Sequence, residues 1–102
     1  MRWWWFSTAS KEEIRREMSE MASKGVGGVE IQPIYTALEG FAIDGWENIE
    51  WLSPEWIDMV ECAVEEGKKQ GMQVDLTFGS GWPFGGPYID EKHSSTRLVG
   101  FR

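Results

Sequence analysis

Three short apolar runs alternate with two segments that carry the start and stop signals of helices, and this order constrains the fold more than any other feature. Trp3 to Phe6 reads as a short buried strand. Ser10 and Glu13 then make a capping box, in which the hydroxyl takes the amide of Glu13 and the Glu13 carboxylate returns to the amide of Ser10. Ile14, Met18, Met21 and Ala22 follow at helical spacing, Gly25 is the stop, and Lys24 lies near the negative end of the helix dipole. A second apolar run begins at Val26. Its Gly27 and Gly28 are read as room for a helix packed closely on the sheet, and Pro33 closes it. Ser53-Pro54-Glu55 combines an N-cap, a proline at the first helical position and an acid in the first turn. Trp56, Val60, Ala63, Val64 and Gly67 form one face of that helix, and Gly71 ends it. Met72 to Phe78 is the third run. The sequence therefore predicts an α/β chain, β-α-β-α-β, with strands over about 2–6, 26–32 and 72–78 and helices over about 11–24 and 54–70. Such alternation implies parallel strands with right-handed crossovers. Thr96 to Phe101 reads as extended, and the end, Leu98 to Arg102, looks like a strand in mid-course.

The 102 residues make one small domain, 1–102, far short of the roughly 200 that a closed (β/α)8 barrel needs. Opening and ending inside strands is what a truncated domain would show. A net charge of -7 with no basic stripe argues against nucleic acid and against an anionic membrane surface as partners. There is no apolar stretch of the roughly 18 residues a membrane span needs, and no charged-then-apolar leader. The single cysteine, Cys62, allows no internal disulfide and reads as a small buried residue of the second helix. Seven tryptophans are the unusual count. They fill cores, and they also provide flat apolar faces on which a sugar ring stacks.

Parallel β/α proteins place their sites at the carboxyl ends of strands. Alternation puts Val29, Ile31, Val74, Leu76 and Phe78 towards the helices, and Glu30, Gln32, Asp75 and Thr77 on the opposite face. A carboxylate on the inner face of a strand is costly unless it is paired or used. Glu30 and Asp75 are open to two readings: groups that hold sugar hydroxyls, a cation or a proton, or a polar layer satisfied by a neighbouring strand. The long connection from Ile34 to Leu52 is rich in aromatics and acids, and loops of that length are commonly functional. The loop Gly79 to Pro87 presents Trp82 as a sugar platform or as a plug that packs the loop down. It lacks the lysine and hydroxyl residue of a phosphate loop. His93, the only histidine, reads as a surface residue. No cluster has the spacing of a transition-metal site. Ser80 is not in a nucleophile elbow. Glu61, Glu65, Glu66, Lys68 and Lys69 read as a solvated helix face.

The run from Gly25 through Gln32-Pro33 to Tyr35, the Leu52-Ser53-Pro54-Glu55-Trp56 segment, the Gly79 to Pro87 loop and the Trp-rich opening before a Ser-Lys-Glu helix start resemble glycoside hydrolase family 106, the α-L-rhamnosidases, at the N-terminal part of the catalytic (β/α)8 barrel. The resemblance spans nearly the whole chain. It implies hydrolysis of terminal α-L-rhamnosides or related sugars with inversion, by a general acid and a general base on strands beyond Arg102. It implies a carbohydrate as partner, calcium at the sugar site, and a periplasmic or secreted parent protein. It makes Trp4, Glu30, Gln32, Asp75, Thr77 and Trp82 the expected substrate-binding residues, and the 102-residue chain alone inactive. Two other readings stay open: a carbohydrate-binding remnant without chemistry, and another sugar-active (β/α)8 enzyme.

Overall fold

The computed structural model describes residues 1–6, 10–34, 49, 51–77, 79 and 89–100, with the side chain of Phe6 excepted. Strand β1 (Arg2–Phe6), helix α1 (Lys11–Ser23), strand β2 (Gly28–Ile34), helix α2 (Pro54–Gln70) and strand β3 (Gln73–Leu76) follow in that order. The strands form one parallel sheet, β1-β2-β3, with β2 central. Arg2 pairs with Glu30, Trp4 with Gln32, and Glu30 with Asp75. The α/β class and the element order thus agree with the sequence reading.

Both helices begin as their caps dictate. Ser10 Oγ accepts the Glu13 amide at 3.2 Å, and Ser53 Oγ accepts the Trp56 amide at 3.2 Å. The first cap is only half of the expected box. The Glu13 carboxylate turns to the guanidinium of Arg16, 2.5 Å away, instead of returning to Ser10, because a charged partner one turn on outcompetes a neutral amide. The helix ends displace the strands. Gly25 takes φ +84° and the Val26 amide bonds the Met21 carbonyl at 3.0 Å, so Val26 and Gly27 belong to the helix exit and β2 starts at Gly28, two residues later than expected. It also runs further, through Pro33 to Ile34. After α2, Gly71 is left-handed and the Met72 amide returns to the Gly67 carbonyl at 2.8 Å, which removes Met72 from β3.

The core lies between the sheet and the two helices. Trp3, Trp5, Val29 and Ile31 meet Ile14, Met18, Cys62, Ala63 and Met72 there. Full burial of a side chain such as Ile14, Met18 or Ile31 contributes roughly 1.5–3 kcal/mol. Trp3 and Trp5 pack edge to face at 5.3 Å, and Trp3 Nε1 donates to Glu17 at 2.8 Å. Val74 packs on this core as expected, whereas Leu76 is 45% exposed and Phe78 lies outside the described residues.

The close helix–sheet contact sits elsewhere than at Gly27 and Gly28. A Cβ at Gly27 would meet nothing, and one at Gly28 would meet Gln73 of the adjacent strand at 3.0–3.1 Å, so Gly28 serves strand pairing. The tight helical glycine is Gly67, where a Cβ would fall 2.6 Å from Val74 Cγ2. The charge run is corrected at one position. Glu66 is buried, with Gln70 Nε2 donating to it at 3.1 Å and Lys69 Nζ 3.6 Å away, while Glu61, Glu65, Lys68 and Lys69 are exposed. Residues 89–100 are exposed, and Thr96 to Gly100 joins no strand among the described residues.

Candidate functional site

The face of the sheet turned away from α1 and α2 is polar. Alternation places Arg2 and Trp4 of β1, Glu30 and Gln32 of β2, and Gln73 and Asp75 of β3 on it, with Thr77 one residue past the end of β3. The register sorts them into two rows. Arg2, Glu30 and Asp75 lie side by side, and Trp4, Gln32 and Thr77 lie one step nearer the carboxyl ends. The position of Thr77 in the second row follows from its amide, which donates to the Ile31 carbonyl at 3.1 Å and continues the ladder.

The rows are joined through Thr77. Its Oγ1 lies 2.7 Å from Glu30 Oε1 and 2.5 Å from Gln32 Oε1. Arg2 Nε approaches Glu30 Oε2 at 3.4 Å, and the Arg2 guanidinium stands 5.8 Å from the centre of the Trp4 ring. The Thr77 hydroxyl is the largest influence holding the Glu30 carboxyl below its ordinary pKa. Arg2 acts in the same direction, while partial desolvation and the charge of Asp75 oppose both. Glu30 is therefore an ionised acceptor. Asp75 is exposed and receives both its hydrogen bonds from Gln73 Nε2, at 2.9 and 3.1 Å. Gln32 is buried, and Trp4 keeps 41% of its surface exposed.

A concavity of about 580 Å3 opens at the other end of the face, lined by Arg2, Gly28, Glu30, Gln73 and Asp75 among others. It lies at the amino ends of the strands, opposite to where parallel β/α folds build sites, so the candidate site is the part of the face above it, where Trp4, Gln32 and Thr77 meet the Glu30 side chain. The structure brings together five of the six expected residues, Trp4, Glu30, Gln32, Asp75 and Thr77, with Asp75 at the lower edge. Trp82 lies outside the described residues. The sequence reading passed over Arg2, although the alternation that selects Trp4 also selects the residue two before it.

Among the described residues, no three of histidine, cysteine, aspartate and glutamate come together in a way that could hold a metal ion. Among the described residues, Glu30 and Asp75 alone supply fewer than the six or more oxygens that calcium takes. Nor is any described helix long and apolar enough to cross a membrane. His93 is exposed, with Nδ1 2.6 Å from Asp90, and has no part in the site.

The family model for alpha-L-rhamnosidase, glycoside hydrolase family 106, matches residues 1–100. A Formosa agariphila protein provisionally named beta-glucuronidase is 29% identical over 100 residues, covering 95% of this chain and 8% of its own length. The solved rhamnosidase from Novosphingobium sp. PP1Y superposes with a TM-score of 0.69 over 89% of this chain and 8% of its own, at 22% identity. The chain thus spans 8% of the length of each. At that identity the structural match speaks for the fold.

Proposed function

The chain belongs to glycoside hydrolase family 106, the alpha-L-rhamnosidase family, and from that premise we propose that it supplies sugar-binding residues to a glycosidase that cleaves terminal α-L-rhamnosides. In this reading the three parallel strands open a (β/α)8 barrel, and the face away from the helices lines its interior. Trp4 offers its indole to the apolar side of the sugar, and Glu30 and Gln32 take hydroxyl groups, with Asp75 at the lower edge. The observation that carries the reading is the half-exposed Trp4 beside an ionised carboxylate and an amide in adjoining rows of one sheet face.

Glu30 is better suited to binding than to protonating a leaving group. A general acid needs its pKa raised, and that of Glu30 is lowered. Inversion requires an acid and a base about 6.5–9.5 Å apart with a water between, and neither role is assigned to a described residue.

The name of the Formosa agariphila relative raises a second substrate, an anionic glucuronide. Among the described residues the face carries two acids, Glu30 and Asp75, against one cation, Arg2, in a chain of net charge -7, which favours a neutral sugar. The test is turnover of an aryl α-L-rhamnoside and an aryl β-D-glucuronide by the full-length protein that carries this chain. Rhamnoside cleavage, with a raised KM in Trp4→Ala, supports the reading. Cleavage of the glucuronide alone refutes it.

A further inference from the structure

Thr77 has one hydroxyl proton and two oxygens within reach of its Oγ1, Glu30 Oε1 at 2.7 Å and Gln32 Oε1 at 2.5 Å. One proton cannot serve both in good geometry. The charged acceptor takes it, because a hydrogen bond to a carboxylate is about twice as strong as one to a neutral amide. Gln32 must then approach the Thr77 oxygen as a donor, with its amide nitrogen in the near position and its carbonyl oxygen in the far one. The two amide ends have nearly the same shape, so the hydrogen-bond network decides between them. The alternative, a protonated Glu30 donating to Thr77, is opposed by Arg2 at 3.4 Å.

We propose that Thr77 is a positioning residue that makes no contact with sugar: by donating to Glu30 and accepting from Gln32, it fixes the Gln32 amide with its carbonyl oxygen turned away from β3. The consequence, which rests on the sugar-binding reading above, is a specificity for hydroxyl donors. The Glu30 carboxylate and the Gln32 carbonyl oxygen form an acceptor pair in adjoining rows beside Trp4. A sugar with two neighbouring free hydroxyl groups satisfies both, and a sugar lacking one of them leaves an acceptor unpaired, at a cost of about tenfold in affinity. Glu30 faces Arg2 on β1 and Asp75 and Thr77 on the β3 side, and among the described residues Thr77 is the neutral group that bonds its carboxylate.

The experiment uses the full-length protein in three forms: wild type, Thr77→Val and Thr77→Ser. Crystal structures come first, since they read the positioning without any ligand. In Thr77→Val the Glu30 carboxylate and the Gln32 amide should leave their wild-type positions, and in Thr77→Ser they should keep them. Glu30 and Gln32 that superpose on wild type in Thr77→Val overturn the proposal. Calorimetric titration with L-rhamnose follows. Thr77→Val should bind about tenfold more weakly, with the acidic limb of its affinity profile moved to higher pH, and Thr77→Ser should restore both. Wild-type affinity and an unmoved profile in Thr77→Val overturn the proposal while leaving the sugar site intact. Absence of rhamnose binding in wild type strikes the sugar reading instead, and the crystallographic comparison then decides on Thr77.

Discussion

Gly67→Ala sets helix propensity against packing. In an exposed helix interior the change would stabilise by about 1 kcal/mol, since alanine is the best helix former and glycine among the poorest. Gly67 is buried, however, and its new Cβ would lie 2.6 Å from Val74 Cγ2, 3.2 Å from the Met72 carbonyl oxygen and 3.4 Å from Met18 Cε. Val74 can rotate, but into a core that already holds Met18 with no exposed surface. The Met72 oxygen is backbone just past the helix cap and has little room to yield. Overpacking of this kind costs about 1–3 kcal/mol, so after the propensity gain the net loss is about 1 kcal/mol. A loss of that size corresponds to a roughly fivefold shift in the local opening equilibrium. Hydrogen exchange of peptides from α2 and β3 in the full-length protein reads it directly. Exchange in Gly67→Ala should be about fivefold faster there and unchanged in α1. Exchange slower than wild type would mean that helix propensity governs and that α2 does not lie on β3 as closely as described.

Gly71 tests the opposite cause. It is left-handed at φ +68° with no atom within 4 Å of an added Cβ, so Gly71→Ala should cost about 1 kcal/mol through backbone conformation alone, while Gly71→Asn should cost less in the same exchange experiment. The Thr77 hydroxyl and Arg2 hold the Glu30 carboxyl below its ordinary value, so its contribution is complete above that ordinary value and is lost as pH falls through the lower folded one. The difference in melting temperature between wild type and Glu30→Gln should accordingly be constant above about pH 5 and shrink in more acidic solution. A difference that persists unchanged at low pH would contradict it. Cys62 is buried, so alkylation of its peptide should be slow in the native protein and prompt in denaturant. Rapid native labelling would contradict the packing of α1 on α2.

The element order and the two faces of the sheet were legible because they rest on local signals. Ser10, Gly25, Ser53, Pro54 and Gly71 punctuate the chain by their own stereochemistry, and period-two alternation separates Val29 and Ile31 from Glu30 and Gln32. What escaped depends on contacts between elements. Glu66 looks like its exposed neighbours until α1 and the sheet fix which side of α2 is covered. Gly28 and Gly67 are both glycines in apolar surroundings, and only the pairing partners tell strand spacing from helix contact. Among the candidate site residues, membership of the face could be read off the sequence. The division into rows could not, because the offset between strands is set by where each helix exit releases the chain, at Gly28 and at Gln73.

Pro33 removes one donor from the ladder between the second pair of strands. In a parallel sheet alternate residues of a central strand address opposite neighbours. Glu30 donates to Met1 on the β1 side, whereas Gly27 and Ile31 accept from Gln73 and Thr77 on the β3 side. Position 33 shares the parity of 27 and 31, so the next rung would be its N–H reaching the carbonyl of Thr77. Proline has none to give. The zipper between β2 and β3 therefore lacks its next tooth just above Thr77. Putting an ordinary residue there would offer the Thr77 carbonyl the N–H that proline withholds, on the side of the sheet end at which the sugar is proposed to lie.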